Sequence, residues 1–119
     1  LSFSGVVKKI KDIEFRPSDN TAFIWAHPFR WRLHDDVVIN NKLLKKFDAV
    51  ELYNGNLSDK EIEYAKNMLK KYNPRMTGGS DTHSKDMAGR YATEFENDFE
   101  TIEELICNLK YCKYKPVLL

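Results

Sequence analysis

The chain has 119 residues, which is the length of one domain at most or of part of a larger one. Its 19 basic and 18 acidic residues leave a formal net charge of +1, so we expect no overall field that would recruit nucleic acid or an anionic membrane. The opening sequence LSFSGVVKKIKDIEF starts with Leu1 and has no continuous apolar stretch. We therefore expect neither a signal peptide nor a transmembrane helix, and a natural N-terminus that lies upstream.

The first predicted elements are two strands separated by a short helix. Residues 21–26 (TAFIWA) are apolar, aromatic and β-branched, a composition typical of a buried strand. Asn40 or Asn41 can cap a short helix before the next predicted strand, residues 49–53 (AVELY). That strand is expected to stop at the Asn-Gly-Asn turn of residues 54–56.

Two capping boxes then mark the starts of longer helices. Ser58 pairs with Glu61, and Thr101 pairs with Glu104, at the spacing that satisfies the first backbone amides of a helix. The residues that we expect on the buried faces of these two helices are Ile62, Ala65, Met68, Leu69 and Tyr72 in the first, and Ile102, Leu105, Ile106 and Leu109 in the second.

Short strands are predicted after each of these two longer helices, at residues 75–77 and 116–119. Strands that alternate with helices imply a parallel sheet or part of a barrel. In such folds the functional side chains follow the C-terminal ends of the strands. This rule selects His27, the pair at residues 53–54 and the turn at residues 78–83.

The turn GGSDTHS at residues 78–84 contains the most specific pattern. Asp81 and His83 are two residues apart, so in an extended segment their side chains point to the same side. A carboxylate oxygen and an imidazole nitrogen are a common mixed ligand set for Zn, Mn or Fe. Taken alone, the pattern favours a polar loop in which Asp81 caps a turn. His27, which follows another predicted strand and precedes Pro28, is either a core histidine or a further ligand, and its placement favours the metal interpretation.

Three segments carry a family resemblance in one order along the chain. The segments AHPFR at 26–30, DAVELYNG at 48–55 and GGSDTHS at 78–84 resemble the later motifs of the PHP (polymerase and histidinol phosphatase) superfamily. GRYATEF at 89–95 and TIEELI at 101–106 are similar to that family's usual ending. The resemblance implies the C-terminal portion of a distorted (β/α)7 TIM-like barrel, with parallel strands alternating with helices. It also implies a metal-dependent phosphoesterase that hydrolyses small phosphate esters or nucleotide-like substrates through metal-activated water.

The same resemblance assigns roles to individual residues. His27, Asp81 and His83 would be ligands of a divalent metal cluster of Mn, Fe or Zn, and Asp81 and His83 would also take part in catalysis. Glu51 and Asn54 would orient these ligands or the backbone of their loops.

Other polar residues have two interpretations each. Arg30 could hold a phosphate through two parallel hydrogen bonds as a third catalytic residue, or be a solvated loop arginine. His34 lies beside two aspartates, where a charged surface loop is favoured over a metal ligand. Arg90 could pair with a carboxylate or reach a phosphate. Cys107 and Cys112, with no second cysteine pair, are expected to be buried, reduced thiols of a cytoplasmic protein.

The chain departs from the family pattern because part of the expected ligand set is missing. The family's first motif, an H-x-H, is absent, because the only histidines are His27, His34 and His83. We therefore expect residues 1–119 to be a single domain or fragment that forms the C-terminal part of a PHP domain. Its missing N-terminal half would supply the other ligands and pair with the open sheet edge.

Two other functions are alternatives to the phosphoesterase. A mononuclear iron site with two histidines and one carboxylate is disfavoured, because the familiar oxygenase pattern has another ligand order in an all-β setting. A non-catalytic structural or regulatory PHP domain, such as those joined to DNA polymerases, is the second candidate. A polymerase module next to this segment would favour that candidate.

Overall fold

The structure is a computed structural model and describes residues 18–30 and 39–119; the predictions for His34 therefore fall outside the described residues. The strands are β1 (Ile24–Trp25), β2 (Ala49–Asn54), β3 (Met76–Gly79), β4 (Tyr91–Phe95) and β5 (Tyr114–Leu118). The helices are α1 (Asn41–Leu44), α2 (Asp59–Lys70) and α3 (Ile102–Tyr111), with a short 3-10 helix at Lys85–Met87. None of the helices in the described ranges is both long and apolar enough to cross a membrane.

The first three strands form a parallel sheet with β2 in the centre. Parallel neighbours cannot be joined by a tight turn, and the connections through α1 and α2 provide the required crossovers. The predicted mixed α/β fold with parallel strands is confirmed to this extent. Since the strands run in the same direction, their C-terminal ends lie along one edge of the sheet.

The last two strands form a separate antiparallel pair, which the alternating pattern did not predict. Tyr91 lies opposite Leu118, and Phe95 lies opposite Tyr114. The side chain of Thr93 links this pair to β3, because its hydroxyl accepts the Gly78 N–H at 3.0 Å and donates to the Gly78 carbonyl at 2.9 Å. Residues 91–95 were recognised only as a family motif, and the partner strand shows why they are extended.

The core lies between α2 and the parallel sheet. Ala65 and Leu69 of α2 are buried with Phe29, Val50 and Leu52. The capping box at the start of α2 is present as predicted, with the Ser58 side chain bound to Glu61 N–H and the Glu61 carboxylate bound to Ser58 N–H. Of the predicted buried face, Ile62, Ala65 and Leu69 are buried and Met68 is partly buried, whereas Tyr72 packs against the core from beyond the end of the helix.

The helix α3 begins with the predicted Thr101–Glu104 capping box, but its buried face was predicted too long. Ile102 is 67% exposed, whereas Leu109 is only 6% exposed. The reason is that α3 is fastened near its C-terminal end, where the Arg75 guanidinium donates to the carbonyls of Leu109 and Cys112. Only the last turns of the helix therefore meet the rest of the described chain closely.

The two cysteines are free thiols, as predicted, but the prediction that both are buried was wrong. Cys107 is exposed in the middle of α3, while Cys112 caps the C-terminal end of that helix and is partly buried.

All four predicted strands differ from the observed ones at one or both ends, and the second, predicted at residues 49–53, extends to Asn54. The first strand covers only Ile24–Trp25 rather than residues 21–26, because the Phe23 N–H is bound by the Asp48 carboxylate instead of a strand neighbour. The third covers Met76–Gly79 rather than 75–77, following the register with β2. The last starts at Tyr114 rather than Pro116, because β4 provides a partner for that residue as well.

Candidate metal-ligand site

The candidate residues lie at the C-terminal edge of the parallel sheet. His27 comes two residues after β1, Asn54 is the last residue of β2, and Asp81 comes two residues after β3. Because β2 is the central strand, its side chains can reach the loops on both sides. The arrangement of three strand ends at one edge is the one that the sequence predicted.

Two of these residues have left-handed backbone conformations. The φ angle is 30° at His27 and 45° at Asp81. Such values are uncommon for residues other than glycine, and a strained backbone position costs on the order of 1–3 kcal/mol. Strain of this kind persists only where the surroundings hold it in place, and it is concentrated at functional sites.

Glu51 binds the backbone at His27, where the chain turns after β1. Its Oε2 accepts the backbone N–H of His27 at 2.8 Å and the side-chain amide of Asn54 at 3.0 Å. The other carboxylate oxygen lies so close to Gly79 that a Cβ added there would be 3.0 Å from it. Glu51 therefore binds the loop backbone at His27.

Asn54 continues the network toward the third strand. Its side chain is fully buried, and its Oδ1 accepts the Asn56 N–H at 2.9 Å. The Asn56 side-chain amide in turn donates to the carbonyl oxygen of Asp81 at 2.7 Å and to its carboxylate Oδ2 at 2.9 Å. Asn56 was not selected from the sequence, where it was treated as part of a turn. The only local signal is its position in the Asn-Gly-Asn turn after a strand.

The Asp81 carboxyl group is held in its ionised form. The Asn56 hydrogen bond lowers its pKa below the ordinary value of 3.8, against the opposing effect of desolvation. Smaller lowering effects come from Asn54, His27 and Arg30. Arg30 forms an ion pair with it, with Nη1 3.5 Å from Oδ2 and both side chains about 25% exposed. An ionised carboxylate at neutral pH is the form that binds cations.

His83 lies on the same loop as Asp81 and is exposed. Its Nδ1 is 3.1 Å from the Asp81 carbonyl oxygen. A carbonyl oxygen can only accept a hydrogen bond, so Nδ1 carries the proton. In the neutral ring Nε2 is then an acceptor. Metal-binding histidines usually have this arrangement, in which one ring nitrogen donates to a carbonyl oxygen and the other is available to the metal.

The donor chemistry of these residues suits a divalent metal, but a complete ligand cage is not formed. Within residues 18–30 and 39–119, no three His, Cys, Asp or Glu side chains are grouped so that they could hold a metal ion. His27 is near enough to Asp81 to affect its pKa, and His83 contacts the Asp81 backbone. Arg90, for which two roles were open, has its guanidinium 5.3 Å from the centre of the Tyr91 ring.

A cavity of about 570 Å³ lies at the other end of the strands. Its lining includes Met76 at the start of β3, Phe95 at the end of β4 and Tyr114 at the start of β5. None of the candidate ligands lines this cavity, so it is separate from the site.

Comparison with known proteins finds a family similarity over part of the chain. Residues 61–111 match the family model described as PHP-associated. The matched segment contains Asp81 and His83, whereas His27, Glu51 and Asn54 precede it. No curated protein and no solved structure matches the chain. The predicted relation to the C-terminal part of a PHP domain is confirmed over the matched residues.

Proposed function

We propose, on the premise that residues 61–111 are a PHP-associated segment, that the chain contributes part of the metal site of a metal-dependent phosphoesterase. The proposal rests on the environment and conformation of Asp81. Its carboxylate has a lowered pKa, its backbone is held at a left-handed φ, and it adjoins a histidine with an available ring nitrogen.

Because the described residues do not form a complete ligand set, each donor would act together with ligands from a preceding half of the domain. Asp81 would supply an anionic oxygen, and His83 and His27 would supply imidazole nitrogens. These donors suit Mn, Fe or Zn. Such an ion, when bound, lowers the pKa of a water molecule and stabilises charge on phosphate oxygens. The contribution of this chain is to hold the ligands in place: Glu51 fixes the backbone at His27, and Asn54 connects Glu51 to the turn that binds Asp81.

Arg30 is proposed as the residue that contacts the phosphate of a small phosphate ester. Its backbone N–H donates to the His27 carbonyl at 3.2 Å, so it follows directly on the corner that carries a proposed ligand. Its guanidinium lies 3.5 Å from Asp81 Oδ2. A planar group with several N–H donors at this position can bind phosphate oxygens while remaining next to the metal ligand.

The chain is proposed to be the C-terminal portion of a (β/α)7 barrel, with the remaining ligands on a preceding half. Two observations support this. In the described residues β1 pairs only with β2, which leaves its other edge for a neighbour. The site residues also lie at the C-terminal ends of the strands, where barrel enzymes carry their catalytic groups. The free thiols fit the proposed cytoplasmic location.

The test uses the full-length protein that contains this segment, purified with its metal. Metal content and hydrolysis of p-nitrophenyl phosphate would be measured for the wild type and for Asp81→Ala and His83→Ala. Both variants should lose metal as well as activity, because each removes a ligand. Asp86→Ala is the matched control, since Asp86 is exposed in the 3-10 helix five residues further on. If the wild type carries no Mn, Fe or Zn and its activity survives chelation, the phosphoesterase proposal fails and a non-catalytic domain takes its place.

A further inference from the structure

Asn56 lies in the turn that follows β2, and its side chain binds the loop that follows β3. Its N–H is bound by Asn54 Oδ1 at 2.9 Å, and the next amide, that of Leu57, donates to the Asn54 carbonyl at 3.0 Å. The preceding residue, Gly55, donates its N–H to the Gly79 carbonyl at 3.1 Å. The backbone on both sides of Asn56 is therefore anchored, and its side chain leaves from a defined position.

The approach of the two loops is too close for a side chain at position 55. A Cβ added to Gly55 would lie 2.1 Å from the carbonyl oxygen of Ser80, the residue before Asp81. Glycine at this position thus lets the turn after β2 lie against the loop after β3. This close contact brings the Asn56 amide within hydrogen-bond distance of Asp81.

The two hydrogen bonds from Asn56 constrain different parts of Asp81. The bond to the carbonyl oxygen, at 2.7 Å, restrains a backbone with a φ of 45°. The bond to Oδ2, at 2.9 Å, restrains the rotation of the carboxylate. An amide nitrogen has two N–H groups, so it can make both bonds at once. A single side chain from the central strand's turn therefore fixes both the backbone and the side chain of the proposed ligand.

We propose that Asn56 is the positioning residue for Asp81, an inference that rests on the proposed metal site. Asn56 and Arg30 both contact Oδ2, and neither of these contacts involves Oδ1. With Oδ2 held by both groups, the orientation of the carboxylate is restrained before any cation binds. Asn56 would therefore act through Asp81, by orienting it.

The experiment measures Mn²⁺ binding by isothermal titration calorimetry in the full-length protein. Asn56→Ala removes both donors, and Asn56→Asp keeps the shape but places an acceptor and a negative charge against Asp81. Asn67→Ala is the matched control, because Asn67 is exposed on α2. Thr101→Ala removes the N-cap of α3 and so reports the effect of lost stability alone. Hydrogen–deuterium exchange of residues 80–84 in metal-free protein is the second readout.

Asn56→Ala should weaken Mn²⁺ binding by roughly 10- to 100-fold, the range for loss of a residue that orients a metal ligand. It should also speed exchange in residues 80–84, while the two controls change neither quantity. Wild-type Mn²⁺ affinity in Asn56→Ala, together with lost affinity in Asp81→Ala, would overturn the inference. If the wild type binds no Mn²⁺, the proposed function fails, and the exchange data alone decide: faster exchange in Asn56→Ala supports the positioning of Asp81, and unchanged exchange overturns it.

Discussion

Glu51 Oε2 accepts the backbone N–H of His27 at 2.8 Å. A carboxylate on the central strand β2 therefore holds the turn that follows the neighbouring strand β1. The same oxygen accepts the amide of the fully buried Asn54, whose Oδ1 binds the turn that reaches Asp81. Two left-handed corners on opposite sides of β2 are therefore connected through polar side chains of that strand and its turn. The connection makes the geometry of one corner depend on the other.

Replacing Glu51 with alanine should destabilise the fold by about 2 kcal/mol, because the His27 N–H and the Asn54 amide would both lose their acceptor in a poorly solvated place. Urea unfolding followed by circular dichroism would measure the change. Glu63→Ala is the control, since Glu63 is exposed on α2. Equal unfolding free energies for the two variants would show that the Glu51 hydrogen bonds contribute nothing to stability.

Gly55→Ala should be more destabilising than Gly89→Ala. The added Cβ at position 55 would lie 2.1 Å from the backbone oxygen of Ser80, and the loops would have to separate. We expect a loss of about 3 kcal/mol, at the upper end of the range for overpacked sites. Gly89 has a φ of 85°, and among residues 18–30 and 39–119 no atom lies within 4 Å of an added Cβ, so backbone strain is the main term that opposes that substitution. Thermal unfolding of both variants gives the comparison, and a reversed order would contradict the close approach of the two loops.

Thr93→Val should destabilise the contact between β3 and β4. Valine has nearly the shape of threonine but cannot bind the Gly78 N–H and carbonyl, and two unsatisfied backbone groups should cost about 2 kcal/mol. Thr93→Ser keeps the hydroxyl and is the matched control. The free energy of unfolding of each variant decides the matter. A serine variant as unstable as the valine variant would point to the methyl group instead of the hydrogen bonds.

Asp81 should make stability depend on pH in the acid range. Hydrogen bonding by Asn56 lowers the pKa of Asp81 in the folded protein below the ordinary value of 3.8, so the folded state favours the ionised carboxylate. This stabilisation is present above the unfolded-state pKa and is lost as the pH falls through the lower folded-state pKa. Asp81→Asn should therefore flatten that part of the stability profile, measured by urea unfolding with a chelator present. A profile that falls as steeply in acid as the wild-type profile would exclude Asp81 as its source.

Elements that depend on neighbours a few residues apart could be predicted from the sequence. The capping boxes at Ser58 and Thr101 and the buried face of α2 follow from spacings within one or two helical turns. The strand at Ala49–Asn54 follows from a short run with the right composition. Because the crossover connections make these strands parallel, the sequence also placed His27, Asn54 and Asp81 at one edge of the sheet.

Which side chains meet at that edge could not be predicted, because it depends on how the elements pack. Asn56 and Asp81 are 25 positions apart, and their contact depends on how two turns approach each other, which no local pattern encodes. The antiparallel pairing of β4 with β5 likewise joins segments separated by α3. The exposure of Ile102 and Cys107 depends on which part of α3 meets the remaining structure, although the helical period itself was readable. Local periodicity determines which residues share a face of an element, whereas the packing of elements determines whether that face is covered and what it contacts.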